Sequence, residues 1–140
     1  GLRGGTLAVH NIVGFGKAAE IALRDQEKDR EYISVLDEKI VKGIVSIPDI
    51  QLTNPTQNRI PGIISVIVNK KDFHNERYIK QIKDILAIST GSACSAGEPS
   101  HVISAMGLDA DVTKILRISI GKYTTEEDVE HLIQILKETL

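Results

Sequence analysis

The chain has 140 residues, 41% of them hydrophobic and 26% charged, with no tryptophan and a single cysteine; that suffices for one domain with a core and is too little for two. Its formal net charge of −2 gives no electrostatic reason to expect nucleic acid or an anionic membrane surface as a partner. A lone cysteine cannot close an intramolecular disulfide, which points to a reducing cytoplasm, and apolar runs such as Ile63 to Val68 are far too short to span a bilayer. The chain starts at Gly1 rather than at methionine, so a piece of a longer protein is expected.

In chain order, Thr6 can cap a helix running through the small residues Gly14, Gly16, Ala18, Ala19 and Ala22 into charged sequence from Arg24 to Glu31. Ile33, Leu36 and Ile40 keep helical spacing, which carries the helix to about Lys42. Gly14 and Gly16 each weaken a helix by about 1 kcal/mol relative to alanine. They point either to close packing against another backbone, such as a partner subunit, or to a surface helix that tolerates them.

After Gly43, the stretches Ile44 to Ile47 and Ile63 to Val68 read as strands, separated by a loop with Asn54-Pro55 and Pro61-Gly62. Asn75 caps a helix with Ile79, Ile82 and Leu86 on one face. Ile85 to Ile88 then read as a short buried strand. Pro99 fits the first turn of another helix, with Val102, Ile103 and Met106 inward and Gly107 as its stop. Ile115 to Ile120 form a strand. Thr124-x-x-Glu127 is a capping box for a last helix striped with Val129, Leu132, Ile133, Leu136 and Leu140. The fold class is α/β, helices packed on a short sheet.

Three features carry chemistry. Cys94 sits in Ser89-Thr90-Gly91-Ser92-Ala93-Cys94-Ser95-Ala96-Gly97, where small neighbours leave a thiol accessible, although no lysine or histidine precedes it closely enough to activate it. His101, seven residues on, reads more simply as a polar helix residue than as a base. Arg117 alternates with Leu116 and Ile118 in a strand; buried there it needs an anion, and a carboxylate held by both guanidinium nitrogens suits it. A salt bridge within the chain, or an edge strand with Arg117 in water, would explain it as well. Gly4-Gly5-Thr6 offers free N–H groups and a hydroxyl at a helix start, which suits a phosphate; ordinary capping also accounts for Thr6.

Together these segments, with Leu7 to Gly14, Asn58-Arg59-Ile60-Pro61, Glu98-Pro99-Ser100-His101-Val102 and Leu116 to Gly121, resemble the carboxy-terminal part of the pyridoxal-phosphate-dependent cysteine desulfurases of the NifS/IscS-like class. The resemblance implies a fold-type I enzyme. Residues 1–42 would be the end of the large domain and a connecting helix, and residues 43–140 the small domain with the catalytic cysteine loop. It also implies that Cys94 takes the sulfur of L-cysteine as a persulfide, releasing alanine, and hands it to acceptor proteins of scaffold or tRNA-thiolation type. Arg117 would bind the substrate carboxylate. Thr6 would touch the cofactor phosphate of the other subunit of a homodimer. No metal is implied.

Two departures stand out. No lysine here lies in the family's Ser-x-His-Lys context, so the chain alone should neither bind pyridoxal phosphate stably nor release sulfur. The loop from Cys94 to Glu98 is about two residues shorter than the usual pattern, which bears on reach and acceptor choice. Other readings are a cofactor-free sulfur-relay module and a selenocysteine lyase-like enzyme; Ala93-Cys94 disfavours the latter, and the Gly1 start the former.

Overall fold

The computed structural model describes residues 4–54, 59–90, 101–108 and 111–140. The elements are α1 (Val9–Ile44), β1 (Ile50–Leu52), β2 (Ile63–Val68), α2 (Asn75–Ile82), α3 (His101–Ala105), β3 (Ile115–Ser119) and α4 (Glu126–Thr139). The strands form one antiparallel sheet ordered β1-β2-β3, with Ser65 opposite Arg117 and Val66 opposite Leu116.

Period-2 alternation explains which face of the sheet is covered. Ile64, Val66 and Val68 of β2 and Leu116 and Ile118 of β3 are buried, and they cluster with Leu36, Ile40 and Ile44 of α1, Tyr78 and Ile82 of α2, and Val129, Leu132 and Leu136 of α4. Ile63, Arg117 and Ser119 turn to the opposite face and are exposed. The last turns of α1 therefore belong to the same core as the sheet.

Several expectations are corrected. The N-cap of α1 is Ala8, with no side-chain cap, so Thr6 does not cap the helix; backbone bonds from Asn11 and Ile12 to the Ala8 carbonyl start it. Ile44 to Ile47 is not a strand. Val45 N–H donates to the Val41 carbonyl and Ile47 N–H to that of Ile44, so the apolar spacing 40, 44, 47 continues the helical stripe, and the strand forms at Ile50–Leu52 instead. Gly14 and Gly16 sit on an exposed stretch of α1 with nothing among the described residues within 4 Å of a Cβ at either, as the surface-helix alternative expects.

Asn75 is the first residue of α2 rather than its cap. His74 holds the cap position, while the Asn75 side-chain amide donates to the carbonyls of Val112 (2.8 Å) and Ile115 (2.9 Å) and so fastens α2 to the start of β3. Helix α2 ends at Ile82, before Leu86. Ile85 to Ile88 is no strand: Ile85 and Leu86 donate back to the Ile82 carbonyl, which keeps the run curled, and only Ser89 bridges to β3. Helix α3 buries none of its residues, leaving Val102 and Met106 exposed instead of inward. Gly107, at φ 72°, ends it as expected; Pro99 lies outside the described residues. The capping box of α4 is shifted by one. Thr125 and Asp128 form it, because the Thr124 hydroxyl already accepts the Gly121 N–H.

The feature that fixes α1 to the sheet is polar. Asp37 is 3% exposed; both its oxygens accept from Arg59, one at 2.7 Å from Nη1, and Oδ1 also accepts the Gly62 N–H at 2.8 Å. Gly62 stands at φ 88°, and a Cβ there would lie 2.7 Å from the Ile33 side chain and 3.1 Å from the Ile120 carbonyl oxygen. Only glycine meets both demands.

Removing one partner of a buried pair leaves the other charged and unmatched. Asp37→Ala is expected to cost about 3–5 kcal/mol in urea unfolding, and the apolar pair Asp37→Leu with Arg59→Met to recover most of it; equal loss in both variants would contradict this. A second expectation concerns pH. Hydrogen bonds from the Thr125 N–H and hydroxyl hold the Asp128 carboxyl below the ordinary aspartate range. The stabilisation is thus present above that range and lost as pH falls through the lowered value. Acid titration followed by circular dichroism should show a shallower loss of α4 helicity in Asp128→Asn than in the parent.

Candidate active site

Arg117 lies on β3, at the edge of the sheet, on the face turned away from the core; Ile67 and Ile115 at the other end of that face are buried, whereas Arg117 is exposed. Of the readings open for it, the edge strand with Arg117 in water is the one the fold shows: the side chain is exposed and carries no desolvation cost. Its guanidinium makes no ion pair with another described residue, so the alternative of an internal salt bridge finds no partner here. The backbone of Arg117 is held from both sides. Ser65 is opposite it in β2, while the Arg117 N–H donates to the Ser89 carbonyl at 2.7 Å and the Ser89 N–H to the Arg117 carbonyl at 3.0 Å.

Cys94 lies outside the described residues, as do its neighbours from Gly91 to Ser100. The described chain reaches Thr90 one residue beyond the bridge to Arg117 and resumes at His101, which opens α3 and is exposed.

Thr6 is exposed and precedes α1, after Gly5 at φ 92°. Among the described residues the N–H groups of Thr6, Leu7 and Ala8 have no hydrogen-bond partner, so with the Thr6 hydroxyl they present a set of donors fit for a phosphate. The ring of a pyridoxal phosphate finds no such match. Every lysine of the chain is described, and Lys17, the nearest to Thr6 in sequence, is exposed and paired with Glu20 at 2.8 Å. The residues present therefore fit the phosphate end of that cofactor and not the whole group, and no chemical step through it is derived from them.

Thr6 and Arg117 are not brought together within one chain. Hydrogen bonds and ion pairs between α1 and the rest of the described residues begin at Asp29, which faces Lys122 at 3.5 Å. From Val9 to Asp29 the helix spans about 30 Å at 1.5 Å per residue, and the sheet lies beyond. The large side chains of that first stretch, including Val9, Ile12, Val13 and Leu23, are exposed.

Sequence reasoning missed the Asp37–Arg59 pair. The signal was present: Asp37 interrupts the stripe of Ile33, Leu36 and Ile40, where a carboxylate must be buried and therefore paired. It also missed Lys114, whose ammonium donates to the carbonyls of Lys70, Lys71 and Phe73; no sequence spacing announces such a contact. Among the described residues no cluster of three His, Cys, Asp or Glu could hold a metal, and no helix is long and apolar enough to cross a membrane.

The fold is that of NifS-like proteins. A solved NifS-like protein superposes with a TM-score of 0.82 and 28% identity, over 99% of this chain and 35% of its own. A NifS-like protein from Rickettsia africae has the same fold, with a TM-score of 0.83 at 22% identity, over 99% of this chain and 36% of its own. Residues 1–132 match the aminotransferase class-V family, and the chain belongs to it. Among its relatives, the cysteine desulfurase IscS of Shewanella pealeana is 40% identical over 143 residues, and that of Pseudoalteromonas translucida 38% over 144. All of this chain is matched in both cases, and it spans 35% of the length of each relative.

Proposed function

We propose that this chain is the cysteine-bearing part of a pyridoxal-phosphate-dependent cysteine desulfurase, acting in the cytoplasm as a homodimer. Residues 1–42 form the end of the large domain and the connecting helix, and residues 43–140 the small domain, whose core the last turns of α1 complete. The observation that carries the reading is the Ser89–Arg117 bridge. It ties the start of the cysteine segment to the strand that presents an unpaired guanidinium on an open face. Cys94 follows Ser89 by five residues in the sequence.

In this reading Arg117 holds the carboxylate of L-cysteine through two parallel N–H···O bonds and so orients its sulfur. When bound, the cofactor supplies the electron sink that weakens the carbon–sulfur bond. The Cys94 thiolate takes that sulfur as a persulfide, alanine leaves, and the persulfide passes to an acceptor protein. The acceptor in this reading is a scaffold or tRNA-thiolation protein; the relatives' name, cysteine desulfurase, supports the desulfuration that loads Cys94. Thr6, which precedes about 30 Å of helix from Val9 to Asp29 (1.5 Å per residue) that makes no hydrogen bond or ion pair with the other described elements before Asp29, serves the phosphate in the partner's site. That distance is what favours a shared site.

In the full-length protein, Cys94→Ala should abolish sulfide release from L-cysteine under reductant; retained release would sink the role of Cys94. Arg117→Ala should raise KM for L-cysteine by ten- to a hundredfold, the worth of one charged bidentate contact of about 1.5–3 kcal/mol, while Arg117→Lys recovers only part. The shared site has its own test. Dimers mixed from Thr6→Val chains and Arg117→Ala chains contain one wholly native site, so activity should return on mixing. No recovery would place both residues in the same chain's site.

A further inference from the structure

The loop between β2 and α2 is built differently from its neighbours. The Lys114 ammonium is caged by three backbone carbonyls, Lys70 at 2.6 Å, Lys71 at 2.9 Å and Phe73 at 2.8 Å. In a trans peptide the C=O and the following N–H point in opposite directions, and no peptide bond described is cis. Three carbonyls turned toward Lys114 therefore turn the N–H groups of Lys71, Asp72 and His74 to the other side of the loop. None of those three N–H groups has a hydrogen-bond partner among the described residues. On the loop's surface opens a cavity of about 330 Å³ that Lys114 does not line and that Lys70, Lys71, His74 and Arg77 do.

Charge points the same way. The side chains of Lys70 and Lys71 make no ion pair with a described residue, and Arg77 bonds only the Asp72 carbonyl. Asp72 contributes one carboxylate to a lining that otherwise offers three fixed cations. Tyr78, tilted against Phe73 with ring centroids 5.4 Å apart, gives the cavity an aromatic wall. Successive N–H groups turned to one side of a loop, beside cations, form an anion-binding concavity.

We propose that this loop is a binding site for a phosphate group, either inorganic phosphate or a small phosphomonoester whose remaining part lies on the aromatic wall. The site is separate from Thr6 and Arg117, and does not depend on the desulfurase reading. Lys114 is its positioning residue: its carbonyl cage holds the peptide planes so that the N–H groups face the ligand.

The test is hydrogen exchange by mass spectrometry on the full-length, cofactor-loaded protein, with inorganic phosphate titrated against chloride at matched ionic strength. The peptide covering residues 69–75 should exchange more slowly with a saturable dependence on phosphate. Lys70→Glu with Lys71→Glu should weaken that dependence at least tenfold, whereas Lys28→Glu, on the exposed face of α1, should leave it unchanged. A phosphomonoester protecting at lower concentration than phosphate identifies the small-molecule source; equal protection identifies free phosphate. Absence of protection, or protection that survives the double variant, overturns the proposal. So does protection by an acidic peptide with none by phosphate, which would make the loop a protein-docking surface.

Discussion

Burying the Asp37 carboxylate obliges three parts of the chain to keep one mutual position. Helix α1 brings the carboxylate, residue 59 the guanidinium, and the Gly62 turn a backbone N–H. A charge taken out of water is tolerable only when it is paired and hydrogen-bonded in good geometry, so the pair fixes the relative position of its three donors. The consequences propagate along the sheet. The Gly62 carbonyl accepts the Ile120 N–H, Ile63 is registered against Ser119, and two residues on Ser65 is registered against Arg117. A slip of one residue would carry Arg117 to the helix-covered face. The buried carboxylate in a helix thus holds the exposed guanidinium in a strand to the open face.

The same joint explains the shape of α1. Its final turns are core, and its opening turns are a rod with apolar side chains in the open and a donor-rich turn at the tip. A helix cannot fold back on its own sheet over that length. The tip and the open face of the sheet are therefore useful to each other only between chains, or with other parts of a longer protein. The separation of Thr6 from Arg117 within one chain is thus a consequence of helix geometry.

Legibility in the sequence followed the physics of each signal. Strands β2 and β3 and helix α4 were readable because period-2 and period-3.6 burial shaped them directly. Ile44 to Ile47 misled because Ile44, Val45 and Ile47 satisfy either period, and the tie was broken by the hydrogen bonds of the preceding helix, which residue types do not reveal. The Thr124 and Thr125 frames differ by one residue, and the choice depended on which hydroxyl a remote N–H had already claimed. The face of Arg117 was legible, its burial was not: alternation tells which side a residue takes and says nothing of whether a helix covers that side. Cys94 was singled out from its neighbours alone, and it lies outside the described residues.

Arg117 and Lys114 show two fates for a cation on one strand and the turn before it. Lys114 is half-buried and gathers three carbonyls that compensate its charge by dipoles without neutralising it. Arg117 is exposed and gathers nothing from the described residues. A guanidinium in water gains little from a surface carboxylate, so leaving it unpaired costs the fold little. It remains free for an anion that arrives from outside. The lysine has spent its donors on organising a loop, and it is that loop's N–H groups that stay free. In both places what the fold leaves unpaired is donor, and donors attract anions.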